Sequence, residues 1–389
     1  MKIAFIGQKG IPARSGGVEK HVEKLATRLA ATGQEVFVYV RRHYTSPSLT
    51  EYEGVKLIHI PSIRTKHLDA LSHTLFATVH ALFQRYDVVH YHSIGPSVFA
   101  FLPRILRPDM RVVTTFHSRD YFHQKWNVVA RFCLRLAEKI TCTIPEKTIV
   151  ISETLRDYAE AKYKKKFAFV PNGAEVAFEA DTEPLSQWGI RPKRYILCVS
   201  RLVAHKGIHY LIKAFNELED TNKLPNNFKL VIVGAAANSE EYAEFLELLA
   251  RHRQNILLVG EQTGKVLEAL FSHAYLFVQP SEDEGLSLAL LEAMGHGLMP
   301  IVSDIPANRE AVANTGALFP SKDVDGLKQQ LAYFLNRSDE VLALGKSAEE
   351  RVRTHYSWDA IARRTLEVYE DATHQYSDMK EYYAEYHTK

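Results

Sequence analysis

The sequence predicts an α/β protein with two doubly wound parallel-sheet domains in tandem, and three observations carry that reading. Short apolar, β-branched runs alternate with longer helix-period patterns from end to end, as parallel strands joined by crossover helices require. The 389 residues correspond to about 2.6 domains at roughly 150 residues each. A stretch rich in turn-forming residues interrupts the alternation near the middle. With 46% hydrophobic and 24% charged residues the composition is that of ordinary soluble domains, which excludes disordered, fibrous and collagen-like classes.

Taken in order, the first half offers strands at 2–6, 35–40, 55–60, 88–91, 112–116, 148–151 and 168–170, with helices between most of them. One of these helices is plainly periodic: Leu68, Leu71, Leu75, Val79 and Leu82 form a single stripe. After Pro171-Asn172-Gly173 the chain passes Asp181, Pro184, Ser186 and Gly189 without sustained periodicity, which reads as a linker. A second series of strands follows at 195–200, 229–233, 256–259, 275–278 and 300–303, and from Asp323 onward the pattern is helical. The second half repeats the architecture of the first without its sequence, so no short-period solenoid is involved. The expected division is a first domain at 1–175, a linker at 176–193, a second domain at 194–365 and a helical tail at 366–389 leaning on the first domain.

Charge narrows the partners. Forty-eight Lys and Arg against 46 Asp and Glu leave +2, so no global field favours nucleic acid or a membrane, and any anionic ligand must be bound by local charge. Cys133, Cys142 and Cys198 form no CxxC pair and cannot all be paired, which speaks against a disulfide framework or a zinc knuckle. The apolar run at the N-terminus breaks after Ile6, short of the roughly 7–15 residues of a signal-peptide core. The longest uncharged stretch, 88–103, contains His90, His92, Gly95 and two prolines and falls below the ~18 apolar residues of a spanning helix. A cytoplasmic setting is expected.

In doubly wound domains ligands sit at the carboxyl ends of the strands, so the chemistry is sought in the loops after them. After the first strand come Gly7 and, ahead of a helical pattern, Gly16 and Gly17. Adjacent glycines permit close backbone approach, and free amides with the helix dipole make an anion site. A phosphate and a plain flexible turn both fit this spacing. Neither GxxxxGK[ST] nor GxGxxG is present, so P-loop and dinucleotide readings lose their support. After the strand at 195–200, Arg201 and Lys206 precede Gly207. Such a pair suits a diphosphate, since a cation ~4 Å from a phosphate gains about 4 kcal/mol at an effective dielectric of ~20; a solvated basic loop is the alternative. The segment Pro280-Ser281-Glu282-Asp283-Glu284-Gly285-Leu286-Ser287-Leu288 runs from a strand through an acidic loop into a glycine-started helix that carries Glu292. Were Glu284 and Glu292 both helical they would stand roughly 12 Å apart, too far for a tight dyad but suited to two ends of an extended ligand, with the amides of Gly285, Leu286, Ser287 and Leu288 facing an anion. Carboxylates at a helix start also suit the dipole with no ligand at all.

These motifs together resemble the retaining glycosyltransferases of family 4, which have the GT-B fold of two Rossmann-like domains facing a central cleft. The resemblance rests on Gly16-Gly17-Val18-Glu19-Lys20-His21-Val22, Thr115-Phe116-His117, Val170-Pro171-Asn172-Gly173, Arg201-Leu202-Val203 with Lys206-Gly207, and Glu284 through Glu292 to Ala293-Met294, in that order after strands. It implies transfer of a sugar from a UDP-, GDP- or other nucleotide-diphosphate sugar to an acceptor, with retention at the anomeric carbon and with neither cofactor nor metal. On the matching positions, Arg201 and Lys206 would neutralise the leaving diphosphate, Glu292 would hold the ribose hydroxyls and Glu284 the donor-sugar hydroxyls. Amides at Gly16, Gly17 and Gly285 to Leu288 would complete the phosphate cradle, and His117 would hydrogen-bond the donor sugar beside the reacting carbon. His21 gains a role less directly. In family members a leaving phosphate oxygen is thought to take the acceptor proton, which would account for the lack of a dedicated carboxylate base.

The acceptor is expected to be a glycan or a lipid-linked carrier, met by loops at 41–50, 61–67 and 117–126, the last with Arg119, Asp120, Tyr121, His123, Lys125 and Trp126. Lys162-Tyr163-Lys164-Lys165-Lys166 and the mixed apolar and basic stretch at 99–111 suit either a solvated face or docking on an anionic inner leaflet, where each charge is worth about 1 kcal/mol. Asp323-Val324-Asp325 is read as a helix cap rather than a metal site. A nucleotide-sugar epimerase and a non-catalytic sugar-binding protein remain the rival readings, and oligomeric state is left open.

Overall fold

A computed structural model describes residues 1–14, 16–65, 68–119, 128–237 and 239–387, with side chains through residue 373. The chain forms two units, one of residues 1–172 joined by 358–389 and one of residues 173–357.

The first unit contains β1 (Lys2–Ile6), α1 (Gly17–Ala31), β2 (Glu35–Arg41), β3 (Glu51–Tyr52), β4 (Val55–Ile60), α2 (Leu68–Leu82), β5 (Val88–His92), α3 (Phe101–Leu106), β6 (Arg111–Phe116), α4 (Val128–Thr143), β7 (Lys147–Val150), α5 (Glu153–Tyr163) and β8 (Ala168–Phe169). Its sheet runs β3-β4-β2-β1-β5-β6-β7-β8, parallel except for the β3–β4 pair. From β1 the chain moves first toward β2 and later, past β4, toward β8. Right-handed crossovers therefore put α1 on one face and α2, α3 and α4 on the other. The strands are buried on both faces, as near-continuous Ile, Val and Phe runs such as β1 and β6 require.

The second unit holds α6 (Glu183–Ser186), β9 (Tyr195–Val199), α7 (Ile208–Asp220), β10 (Lys229–Val233), α8 (Glu240–Ala250), β11 (Ile256–Leu258), α9 (Gly264–His273), β12 (Leu276–Gln279), α10 (Leu288–Gly295), β13 (Pro300–Ser303), α11 (Pro306–Val312), β14 (Ala317–Phe319), α12 (Val324–Phe334) and α13 (Ser338–His355). Its six parallel strands run β11-β10-β9-β12-β13-β14. Strand order reverses at β1 in the first unit and at β9 in the second, so the loops after these strands lie at topological switch points. Asp323 caps α12, its carboxylate accepting from the Gly326 amide at 3.0 Å, as the sequence suggested.

The expected division needs correction at both ends. Residues 176–193 are not a separate linker: α6 packs on α9, the Glu179 amide donates to Ser272 Oγ at 2.8 Å, and Lys193 Nζ donates to the Ser272 and Ala274 carbonyls at 3.1 and 2.9 Å, so the segment belongs to the second unit. The tail begins earlier than residue 366, as α14 (Trp358–His387), and belongs wholly to the first unit. It packs on α1, sends the Tyr369 hydroxyl to His90 Nδ1 at 2.6 Å and pairs Asp371 with Lys147 at 2.5 Å.

Helix α2 also departs from what its pattern suggests. A stripe such as Leu68, Leu71, Leu75, Val79 and Leu82 ordinarily faces a core, yet Leu68, Leu71 and Val79 are exposed while Ser72, His73, Thr74, Ala77, Thr78 and Ala81 are buried. Among the described residues no helix is long and apolar enough to cross a membrane.

Candidate functional site

In the second unit the loop after β9 docks on the loop after β12. Leu202 anchors the first loop by donating its amide to the Ala235 carbonyl at 2.9 Å, leaving Arg201 exposed. One 3-10 turn, Ala204–Lys206, then ends at Gly207, whose φ of 66° lies in the left-handed region. A Cβ there would run into the Pro280 carbonyl oxygen, so only glycine allows this approach. The Glu282 amide donates to the His205 carbonyl at 2.8 Å and ties the loops together. Lys206 and Glu284 meet as a result, Nζ to Oε1 at 2.5 Å, with side chains only 13% and 9% exposed. Ser281 Oγ donates to the same Oε1 at 2.8 Å. Burial pushes the Glu284 carboxyl up, but the Lys206 ammonium and the Ser281 hydroxyl outweigh it and hold the group below the usual carboxylate range.

Glu284 lies in this loop and not on the helix. Gly285 is likewise outside the helix: α10 starts at Leu288, and Ser287 caps it by accepting from the Leu290 amide at 3.3 Å. The expected glycine-started helix is therefore a serine-capped one, and the ~12 Å separation of two helical carboxylates does not apply. Glu292 sits half-buried on α10, while Leu286 and Leu288 are buried. The acidic loop is not an open cation trap, because Glu282 accepts from Tyr210 at 2.8 Å and pairs with Lys322 at 2.9 Å.

In the first unit the loop after β1 leads to Gly16, with φ 101° and ψ 137°, and α1 starts at Gly17. Glu19 folds back over this helix start, its Oε1 accepting from the Lys9 amide at 3.1 Å, and its carboxylate occupies the space a Cβ on Gly16 would need. One turn further, His21 is buried and its Nδ1 lies 2.9 Å from Asn172 Oδ1. His117, just past β6, places Nε2 3.1 Å from Nδ1 of His92 at the end of β5. His90, two residues earlier on β5, meets Thr115 Oγ1 at 2.7 Å and the Tyr369 hydroxyl at 2.6 Å.

Burial dominates the electrostatics of this cluster. It pushes His21 down to about 4, partly offset by Asn172, and it holds His90, His92 and His117 well below the ordinary histidine value, with the neighbouring imidazoles adding to the effect. At neutral pH these rings are uncharged donors and acceptors. One nitrogen from each of His21, His92 and His117 lies within 4.8 Å of the others, a donor set a metal ion would accept. The His92–His117 and His21–Asn172 hydrogen bonds already engage a nitrogen of each ring.

The structure thus brings Lys206 and Glu284 into direct contact, sets Arg201 exposed on the same loop, and puts Gly16, Gly17 and His117 at the carboxyl end of the first sheet. Sequence reasoning missed His90, His92, Asn172 and Ser281. Two histidines two apart on a strand share a face, which was the available signal for the first pair. In the loop proposed for the acceptor, Asp120, Tyr121, His123, Lys125 and Trp126 fall outside the described residues.

Comparison with known proteins decides the family. A model for Glycosyltransferase Family 4 matches residues 15–178, and one for Glycosyl transferases group 1 matches residues 183–351. The chain is a glycosyltransferase of the family 4 type. This glycosyltransferase is 27% identical over 404 residues to the uncharacterized glycosyltransferase MJ1607 of Methanocaldococcus jannaschii, with 96% of this chain and 98% of the relative covered. It is 24% identical over 383 residues to the GDP-mannose:cellobiosyl-diphosphopolyprenol alpha-mannosyltransferase of Xanthomonas oryzae pv. oryzae, covering 96% and 97%. Among solved structures, that of Alr3699/HepE from Anabaena in complex with UDP-glucose superposes with a TM-score of 0.77 at 18% identity, covering 95% of this chain and all of that one. The two parallel-sheet domains of the family 4 enzyme are those of the GT-B fold.

Proposed function

We propose that this enzyme transfers a sugar from a nucleotide-diphosphate sugar to a glycan or lipid-linked acceptor, with retention at the anomeric carbon and without a metal ion, in the synthesis of a cell-surface polysaccharide or glycolipid at the cytoplasmic face of a membrane. The observation that carries the reading is the Lys206–Glu284 contact at 2.5 Å in the loops after β9 and β12. It couples a cation suited to a diphosphate to a carboxylate suited to sugar hydroxyls. Departure of the nucleoside diphosphate builds negative charge on the leaving oxygen, and a fixed cation aimed there lowers the barrier most. Arg201 supplies a second positive charge, and the amides of Gly285, Leu286, Ser287 and Leu288 supply donors beside the start of α10. These groups take the part a divalent cation would otherwise play.

Glu292 accepts from the ribose hydroxyls in this proposal, Gly16 and Gly17 contribute backbone donors, and His117 donates to a donor-sugar hydroxyl. Glu284, held ionised by Lys206, is occupied with hydroxyls, so the departing phosphate oxygen takes the proton of the attacking acceptor hydroxyl as the new glycosidic bond forms and the bond to the diphosphate breaks. GDP-mannose in the name of one relative and the UDP-glucose complex of one structural neighbour support a nucleotide-sugar donor. The diphosphopolyprenol of the same relative's acceptor supports a lipid-linked carrier.

The test is a thermal-shift screen with nucleoside diphosphates and nucleotide sugars, followed by turnover of the stabilising donor with labelled sugar. Label should move to a separate acceptor with the donor's anomeric configuration, and chelator should leave the rate unchanged. Isomerised donor would indicate an epimerase, binding without turnover a sugar-binding protein, and loss of rate restored by manganese a metal-dependent step.

A further inference from the structure

Thirteen of the nineteen large apolar side chains exposed among the described residues lie between Ile63 and Leu136. Eleven of them fall on three helices that share one face of the first sheet, Leu68, Leu71, Phe76 and Val79 on α2, Phe101, Ile105 and Leu106 on α3, and Val128, Val129, Phe132 and Leu136 on α4, with Ile63 before α2 and Phe83 just past it. The 3-10 turn Pro96–Phe99, which leads into α3, packs against both α2 and α4.

This face is not residual exposure left by a small core. Two of the helices bury small and polar residues, Ala77 and Ala81 on α2 and Ala137 on α4 among them, and expose most of their large apolar ones. α2 buries Ser72, His73, Thr74 and Thr78 and shows Leu and Phe; α4 buries Glu138, Thr141 and Cys142 and shows Val129, Phe132 and Leu136. A helix that hides polar groups and displays apolar ones has its apolar side set toward a further partner, since soluble monomers rarely show contiguous patches of this kind. The sequence stripe on α2 is real; its target is outside the sheet.

Charge selects the partner. Residues 61–143 carry eleven Lys and Arg against five Asp and Glu, a surplus of six positive charges in a chain whose total is +2. Arg111 is buried and Arg104 exposed, and both pair with Glu146, at 3.2 and 2.7 Å, so the cations that remain for the rim are the exposed Arg64, Arg85, Arg131, Arg135 and Lys139. A second copy of the same face would bring like charges together, whereas an anionic lipid surface offers hydrocarbon to the Phe, Leu and Val side chains and phosphate to the rim. The lysine run at 162–166 is not the anchor: Lys162 pairs with buried Glu138 at 2.6 Å, Lys165 donates to the Pro145 carbonyl at 3.2 Å and Lys166 pairs with Glu160 at 3.0 Å.

We infer that the outer face of α2, α3 and α4 is a docking surface for an anionic lipid bilayer. It deepens the proposed function, resting on it only for the reason such an enzyme visits a membrane. The test sediments the full chain with phosphatidylcholine vesicles and with vesicles that also contain phosphatidylglycerol. Binding is expected to the second kind, weakened at high salt. The double variants Val129→Asp/Phe132→Asp and Phe83→Asp/Ile105→Asp should each lower the partition about tenfold or more, and Arg131→Gln/Lys139→Gln should reduce the preference for anionic vesicles. All these side chains are exposed, so melting temperature and the stabilisation by nucleotide should stay as in the parent chain; those two readouts also separate failure of this surface from failure of the donor site. Absence of vesicle binding by the parent chain, or equal binding by the Asp variants, overturns the inference. A dimer in solution that the same Asp variants dissociate would assign the face to a second copy instead, and overturns it as well.

Discussion

His92 Nδ1 lies 3.1 Å from His117 Nε2 where the adjacent strands β5 and β6 end, and that contact sets what His117 can offer a ligand. Both rings are held neutral by burial, so one proton lies between them. His92 Nε2 is buried with no partner among the described residues. A buried N–H without an acceptor is the rarer defect, which assigns the His92 proton to Nδ1, donating to His117 Nε2. His117 then carries its own proton on Nδ1, as a donor. His92→Phe should remove this control, lowering turnover on the order of 10- to 100-fold with little change in melting temperature. His92→Asn, whose amide N–H falls near the Nδ1 position, should restore much of the rate; equal rates for all three chains would show that His92 only fills space.

Lys206→Ala leaves the Glu284 carboxylate buried without its cation. A loss of about 3 kcal/mol in folding stability is expected, since removing one partner of a buried pair strands the other. The double variant Lys206→Met/Glu284→Gln should recover most of that stability, with Gln still reached by Ser281, but none of the turnover. Arg201→Ala, at an exposed side chain, should lower the rate on the order of 100-fold and leave the denaturation midpoint unchanged.

Gly207→Ala tests the approach of the two loops. The left-handed backbone and the Pro280 carbonyl both oppose a Cβ, and a cost of about 2–4 kcal/mol is expected. Stabilisation by nucleoside diphosphate in a thermal-shift assay should disappear with it, because Lys206 is carried by the displaced turn.

The buried histidines make stability depend on pH in a fixed direction. His21 titrates near 6.5 when unfolded and at about 4 when folded, so between these values the unfolded chain binds a proton that the folded chain refuses. Stability should therefore be full above about pH 7 and fall by about 1.4 kcal/mol per pH unit for this residue as pH drops from ~6.5 toward ~4. His90, His92 and His117 add in the same sense. The slope of melting free energy against pH should be shallower for His21→Gln by roughly one proton, and an unchanged slope would place the titration elsewhere.

The strands of both sheets were legible because buried parallel strands are uniformly apolar and their spacing is regular. β3 and β14, of two and three residues, were not, although the equally short β8 and β11 were found within the runs at 168–170 and 256–259. Lys206 and Glu284 could be singled out as loop residues after strands, whereas their mutual contact depends on Gly207 meeting Pro280, a long-range event no local pattern contains. The α2 stripe could be found but not oriented: periodicity reports that a helix has two faces, and the environment decides which is inside. Asn172 reads as part of a turn, and only folding brings it to His21, 151 residues away.

The hydrogen bond between Tyr369 and His90 spans 279 residues, and α14 enters the first unit only after the whole of the second has been traversed. During synthesis the order of completion is therefore inverted. The second unit has all its parts once Ser357 leaves the ribosome, while the first, begun earlier, must wait with His90 Nδ1 lacking its Tyr369 partner and the flank of α1 uncovered. A truncated product ending near residue 172 is thus not a smaller enzyme domain but an unfinished one, lacking the helix that covers α1 and reaches His90.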